Sequence, residues 1–331
     1  MSIRCALASS AVAVVLLTGI AADQPSDHAV SVSPVSVSPA PAPRTTASPS
    51  VVSSAGSQHT APTCDLLASL RPLDPLPEPG RMPAGSTMAR IVERGRLIVA
   101  VGADTYLLSF RNAETGQLEG FDIDLAADLA EAIFGDRQRV EYRQLDLHGR
   151  LEAAASGNVD VVISNATITC WRRAKVEFST VYYLAGQRVL VNRGSGVTSL
   201  NDLTGKRVCA PRGSTSLQEL VAASGPVPVG GVPGVTDCLV MLQLGEVDAV
   251  SSDDVLLASL AAQDPRTEIV GPRFRADPFG IVINSAAPDL VRFVNAVLER
   301  RVADGRWRAS YQRWLTTLGP PPAPPQPQYR D

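Results

Sequence analysis

Residues 97–101 read Leu-Ile-Val-Ala-Val, and residues 120–135 read Gly-Phe-Asp-Ile-Asp-Leu-Ala-Ala-Asp-Leu-Ala-Glu-Ala-Ile-Phe-Gly. The first run is short and apolar throughout, the pattern of a strand covered on both faces. In the second, Ala126, Leu129, Ala130 and Ile133 recur at helical spacing. Asp122 and Asp124 stand where a helix N-terminus favours negative charge, and Gly135 marks the end. Outward from this pair the same alternation continues. A helix-like stretch at 151–156 precedes a strand through Val159, Val161 and Ile163. Further strands are expected at 188–191, 207–210, 247–251 and 279–283, with a helix through Leu217 and Leu220 among them. A long amphipathic helix then carries Leu290, Val294, Val297 and Leu298 on one face, and Trp307, Tyr311 and Trp314 follow at helical spacing as core anchors. Strands alternating with helices specify an α/β architecture with largely parallel strands.

The flanks differ in kind. Of 26 prolines in the 331 residues, seven lie in 23–63, five in 64–83 and six after 319. Proline clusters resist helix and sheet interiors, so about 235 residues remain as core material. A formal net charge of −3 offers no broad basic footprint, and no nucleic-acid partner is expected. Of the three histidines, His148 alone lies in the foldable part, which argues against a multi-histidine metal site; no cofactor is expected. Arg4, an apolar run at 6–17 and small residues through Ala22 have the layout of a secretory signal over 1–22, so the chain is expected to be exported. The alternative is an uncleaved segment that spans the membrane. Leu17-Thr18-Gly19 resembles the start of a bacterial lipoprotein box, yet Ile20 stands where the lipidated cysteine would be. Residues 23–63, with ten serines, are expected to be a disordered tether, 64–89 an N-terminal extension, and 319–331 a disordered Pro-rich tail.

Four cysteines fall in the foldable part: Cys64, Cys170, Cys209 and Cys238. An even number in an exported chain reads as disulfides, with three possible pairings. A staple from Cys209, after the strand-like 206–208, to Cys238, which opens an apolar run, would leave Cys64 to clip the extension to Cys170. Four separate buried thiols are the alternative.

Six motifs occur in a recognisable order: Gly95-Arg96-Leu97; Gly120-Phe121-Asp122-Ile123-Asp124-Leu125; Thr167-Ile168-Thr169-Cys170-Trp171-Arg172; Phe178-Ser179 with Tyr182-Tyr183; Asp202-Leu203-Thr204-Gly205-Lys206 leading to Gly213-Ser214-Thr215; and Val247-Asp248-Ala249-Val250 leading to Asp253. Together they resemble the polar amino-acid family of bacterial extracellular solute-binding proteins, most of all actinobacterial glutamine-binding lipoproteins. The resemblance implies a type II periplasmic-binding-protein-like clamp of two lobes joined by two hinge strands. Lobe one would be 90–187 plus 280–318, lobe two 188–279, with hinges near Gln187-Arg188 and Pro278-Phe279-Gly280.

A free amino acid presents a carboxylate, an ammonium and a side chain. The resemblance assigns the carboxylate to Arg172, whose guanidinium can donate two parallel hydrogen bonds. Thr167 would add a hydroxyl, and the backbone N–H groups of Ser214 and Thr215 would favour the same anion at a helix start. Asp253 would take the ammonium, Asn165 would offer an amide, and Tyr106 would cover the ligand. Two departures stand out: many family members carry an aspartate where Gly102 lies here, with Asp104 two residues on, and Trp171 replaces a common acidic residue.

The implied function is capture of aspartate, glutamate, asparagine or glutamine by an extracytoplasmic, monomeric binding protein. Its partner would be a membrane permease or a membrane signalling receptor. Arg212 and Arg111 are the spare cations for an acidic side chain, and Asn165, Thr169, Ser251 and Ser252 would form a polar rim. The competing class is an enzyme on the same clamp, such as a dehydratase of a cyclic acid, for which His148 is the candidate general acid.

Overall fold

The computed structural model describes residues 63–102 and 104–331. The signal-like segment and the tether lie outside the described residues, as does Ile20.

Two five-stranded sheets organise the chain. In the first, Val140–Gln144, Leu97–Val101 and Val161–Val162 run parallel, and Val282–Ile283 enters antiparallel between Val161–Val162 and Glu177–Phe178. Leu97–Val101 is buried along its whole length, as an uninterrupted apolar strand between two helical layers must be. In the second sheet, Val227–Val229, Arg207–Cys209 and Ala249–Asp253 run parallel, followed by the antiparallel pair Tyr183–Asn192 and Thr267–Phe279. The chain therefore leaves the first sheet after Phe178 and returns to it at Val282. The two long strands, of 10 and 13 residues, carry both crossings, and their register shifts between Val270 and Arg275.

Helix Phe121–Phe134 begins at Gly120, whose φ is 130°; a Cβ there would collide with the Leu108 carbonyl, so only glycine permits this entry. Phe121 is buried against Tyr182, Tyr183 and Trp307. Trp307 donates Nε1–H to the Tyr182 carbonyl at 2.8 Å, and Trp314 donates to Asp124 at 2.8 Å, so the C-terminal aromatics anchor lobe one. Asp124 thus serves a tertiary contact as well as the helix start.

The stretch 319–331 departs from expectation. Gln328–Tyr329 pairs in parallel with Ala68–Ser69, Arg330 ion-pairs with Glu177, and Asp331 reaches Arg71 and Arg292. Its prolines carry it extended along lobe one until the proline-free end can form a ladder. Proline density marked it as poor core material, but a two-residue strand needs only backbone donors and a neighbour. The same clasp holds the N-terminal extension: Ser69 Oγ donates to the Phe178 carbonyl at 2.7 Å, and Asn295 donates to Ser69 Oγ and the Leu70 carbonyl.

Both disulfides of one of the expected pairings are present. Cys209–Cys238 joins strand Arg207–Cys209 to helix Val235–Gln243, and Cys64–Cys170 ties the extension to helix Cys170–Arg173. No helix among the described residues is long and apolar enough to cross a membrane.

Candidate functional site

A cavity of about 390 Å³ lies between the sheets. Lobe one lines it with Gly102, Asp104, Thr105, residues 144–147, Arg150, Asn165, Thr167 and Arg172. Lobe two supplies Pro211, residues 214–216, residues 233–235, Asp237, Ser252, Asp253 and Leu256.

Arg172 is positioned by a one-turn helix whose first residue is fixed by the disulfide to Cys64. The Thr169 hydroxyl caps that helix by accepting from Arg172 N–H at 3.2 Å, and Arg173 donates to the Ala68 carbonyl at 2.8 Å on the opposite side. The Arg172 guanidinium donates to the Thr167 carbonyl at 2.7 Å. Burial pulls its pKa down, while the charges of Asp253 and Asp277 oppose that shift. Across the cavity, the hydroxyls of Thr167 and Thr215 lie 3.5 Å apart, one from each lobe.

Ser214 caps helix Thr215–Ala222 by accepting from Leu217 N–H at 3.0 Å, and its own N–H is donated to the Pro211 carbonyl at 3.2 Å. The expected anion donor at Ser214 is therefore committed elsewhere. The N–H groups of Thr215 and Ser216, in the first turn, face no intrahelical acceptor.

Asn165 holds a left-handed backbone, φ 42°, which places its N–H 3.1 Å from a carboxylate oxygen of Asp122. Asp122 also accepts from the Tyr182 hydroxyl at 3.0 Å. It is fully buried, and burial, outweighing these bonds, pushes its pKa up to about 7. Asp122 is thus a buried link beneath the cavity floor and not only a charge at a helix start. In the unfolded chain this carboxyl ionises near 4, so between about pH 4 and pH 7 the fold binds more protons than the unfolded state. Stability then falls as pH rises through that window, by up to about 4 kcal/mol from a shift of about three units. Asp122→Asn is expected to flatten that slope, read from urea unfolding at pH 4.5 and 7.5; an unchanged slope would rule the carboxyl out as its source.

Several expected residues are not in the cavity lining. Tyr106 is 39 % exposed and packs edge-on against Phe110, with ring centroids 4.8 Å apart. Arg111 donates to the Gly116 carbonyl at 2.6 Å and lines a separate depression with Gln117 and Tyr142. Arg212 is exposed beside the turn. Tyr106 and Arg212 lie in turns, and Arg111 ends strand Ser109–Arg111, so each side chain is carried on a surface connection outside the lining. Ser251 and Thr169 are not among the lining residues, whereas Ser252 is.

The cation that sequence reasoning missed is Arg150, on helix Leu147–Ala155. It donates to the Leu145 carbonyl and to Ser164 Oγ, each at 2.7 Å, and a Cβ on Gly102 would approach its Nη2 to 3.0 Å. The small residue at 102 was the available signal: space left by an absent aspartate side chain is occupied by a guanidinium. Arg150 and Arg172 both give their hydrogen bonds to neutral oxygens. Of the carboxylates, Asp146 caps its helix through Gly149 N–H, Asp237 accepts from Gly234 N–H, and Asp253 is buried in the back wall. His148 points outward, paired with Glu152 at 3.1 Å.

The model for bacterial extracellular solute-binding proteins, family 3, matches residues 97–317. The ABC transporter glutamine-binding protein GlnH of Bacillus subtilis is 31 % identical over 230 residues, covering 69 % of this chain and 84 % of that protein. A glutamine-binding protein of Geobacillus stearothermophilus is 37 % identical over 197 residues, covering 59 % and 75 % respectively. Among solved structures, an ancestral arginine-binding protein bound to glutamine superimposes with a TM-score of 0.61 at 34 % identity, covering 67 % of this chain and 98 % of that one.

Proposed function

The chain belongs to family 3 of the bacterial extracellular solute-binding proteins, and on that premise we propose that it captures a free polar amino acid and delivers it to a membrane transporter. The observation that carries this reading is the cavity itself. It presents guanidinium groups whose bonds go to neutral oxygens, a helix start with spare N–H groups and a buried carboxylate, drawn from both lobes. Arg172, Thr167 and the N–H groups of Thr215 and Ser216 receive the α-carboxylate, and Asp253 receives the ammonium. Arg150 and Asn165 face the side chain, replacing Arg212 and Arg111 in that role. A guanidinium and an amide suit aspartate, glutamate, asparagine or glutamine. Binding contacts on both lobes stabilise the closed clamp over the open one, which a partner can then distinguish.

Catalysis has little support: the relatives named above are binding proteins, and the one histidine among the described residues points away from the cavity. The protein acts outside the cytoplasm, with the segment before residue 63 supplying export and reach, and with Ile20 giving no thiol for a lipid.

A thermal-shift screen of the twenty amino acids on the full chain tests the reading. One or more of the four should raise the melting temperature, since ligand at a hundred times its dissociation constant adds about 2.7 kcal/mol. Tighter binding of arginine or leucine than of all four would overturn the ligand class, and no shift with any amino acid would overturn the function.

A further inference from the structure

Gly102 and Ser164 stand just past the ends of two neighbouring parallel strands, Leu97–Val101 and Val161–Val162, where lobe one meets the cavity. Ser164 is buried, and its Oγ accepts from the Gly102 N–H at 3.1 Å and from Arg150 Nη1 at 2.7 Å. A hydroxyl has two acceptor positions and one proton, so both acceptor positions are taken and only the O–H remains to give. That proton goes to Asn165 Oδ1 at 3.3 Å. Neither incoming bond can be reversed, because a backbone N–H and a guanidinium have no acceptor form. The Asn165 amide is therefore held with its carbonyl on Ser164 and its NH2 group left over; the opposite orientation would set a third donor against a hydroxyl that accepts no more.

Arg150 is held with the same polarity. Its Nε donates to the Leu145 carbonyl at 2.7 Å and its Nη1 to Ser164, which leaves Nη2 for the cavity, 3.0 Å from the place that a Cβ on Gly102 would take. The missing side chain at Gly102 is what gives Nη2 its room. Arg150 and Asn165 both line the cavity, and each brings to it a group that only donates. We propose that this wall selects a side-chain carboxylate over a carboxamide, so that the protein prefers L-glutamate and L-aspartate to L-glutamine and L-asparagine. Arg150 and Asn165 make the contacts, and Ser164 is the positioning residue that sets their polarity. The inference rests on the reading that the cavity captures a polar amino acid whose side chain faces Arg150 and Asn165.

A carboxylate accepts at both oxygens and supplies the charge that a guanidinium bonded to neutral oxygens lacks. An amide of the same shape turns its own NH2 group against one of the two donors, and a donor left unpaired in a binding site weighs against that ligand. The other polar groups of this wall do not reverse the choice. The Thr105 hydroxyl, 3.4 Å from the same Cβ position on Gly102, gives or accepts alike and so favours neither ligand. Asp104 and Gln144 are acceptors in the lining, but both are exposed and keep water as a partner. Asp104 also reaches toward lobe two, its Oδ2 3.4 Å from where a Cβ on Gly234 would stand.

Calorimetric titration of the full chain with each of the four amino acids at pH 7 tests the proposal. A charge-assisted hydrogen bond corresponds to roughly ten- to a hundred-fold in affinity, and each acid that binds should exceed its amide by that factor. Arg150→Met should remove the preference by weakening the acids far more than the amides. Ser164→Ala should narrow the ratio from both sides, since Asn165 is then free to turn its carbonyl inward and accept from an amide. A residue that only supported the fold would weaken acid and amide alike, so an unchanged ratio in Ser164→Ala would overturn its role, and an unchanged ratio in Arg150→Met would overturn that contact. Amides bound as tightly as the acids by the unaltered chain would overturn the selection while leaving amino-acid capture standing, and this comparison decides alone if a variant does not fold. No heat with any of the four would overturn the proposed function and this inference together.

Discussion

Arg172→Ala is expected to weaken amino-acid binding by about thirty-fold to several thousand-fold while the protein remains folded. Truncating one partner of a desolvated charge pair costs about 2 to 5 kcal/mol, much of it from the charge left without a partner. In this clamp the penalty falls on the ligand carboxylate, which keeps only the Thr167 hydroxyl and the helix-start N–H groups. Lysine is no substitute, since a point charge cannot reproduce a planar two-bond grip. The fold should tolerate the loss, because the guanidinium makes one protein hydrogen bond, to the Thr167 carbonyl, and its helix is held by the Cys64 disulfide and by Arg173. Calorimetry on the variant checks this against its melting temperature. Unchanged affinity would remove Arg172 from the site, and loss of the folded state would show a structural role instead.

Replacing both Cys64 and Cys170 with serine should produce the largest loss of stability. That disulfide spans 106 residues against 29 for Cys209–Cys238. Closing a loop of that length removes unfolded-state entropy worth on the order of 5 kcal/mol, against roughly 3.6 for the shorter one. For a folded region of this size each kcal/mol shifts the melting temperature by about 2 to 4 °C, so a drop of about 10 to 20 °C is expected. The backbone ladder between Ala68–Ser69 and Gln328–Tyr329 does not involve either cysteine and is expected to remain in the variant. Ligand affinity should fall as well, because the first turn of the helix that carries Arg172 loses its covalent anchor. Thermal melts of the two double-serine variants, with and without ligand, check both effects; equal melting temperatures for both variants would contradict the loop-length argument.

The strand and helix periodicities were legible because they are local. An apolar run such as Leu97–Val101 can only be satisfied between two covered faces, and the helix at Phe121–Phe134 announces both its start and its stop. Arg172, Thr167 and Asp253 were placed near the cleft by the resemblance that the ordered motifs carry, and all three line the cavity. The disulfide pairing was narrowed by the strand-like and helix-like surroundings of Cys209 and Cys238. Arg150 was not legible: its helix is read easily, but only packing against Gly102 and Ser164 turns its guanidinium into the cavity. Tyr106, Arg111 and Arg212 failed for the converse reason, being near the cleft in sequence and directed away from it in space.

The sequence alone therefore determined the alternation of strands and helices, while the two-lobe clamp was implied by the resemblance that its ordered motifs carry. The alternation follows from hydrophobic period and turn chemistry, which act over a few residues. Tertiary structure decided which side chains share the cavity, that Asp122 and Asp253 are buried, and that the Pro-rich terminus closes a clasp over the extension. Burial and the approach of groups distant in the chain set the energy of a charge or an unpaired donor, and neither exists until the chain has folded.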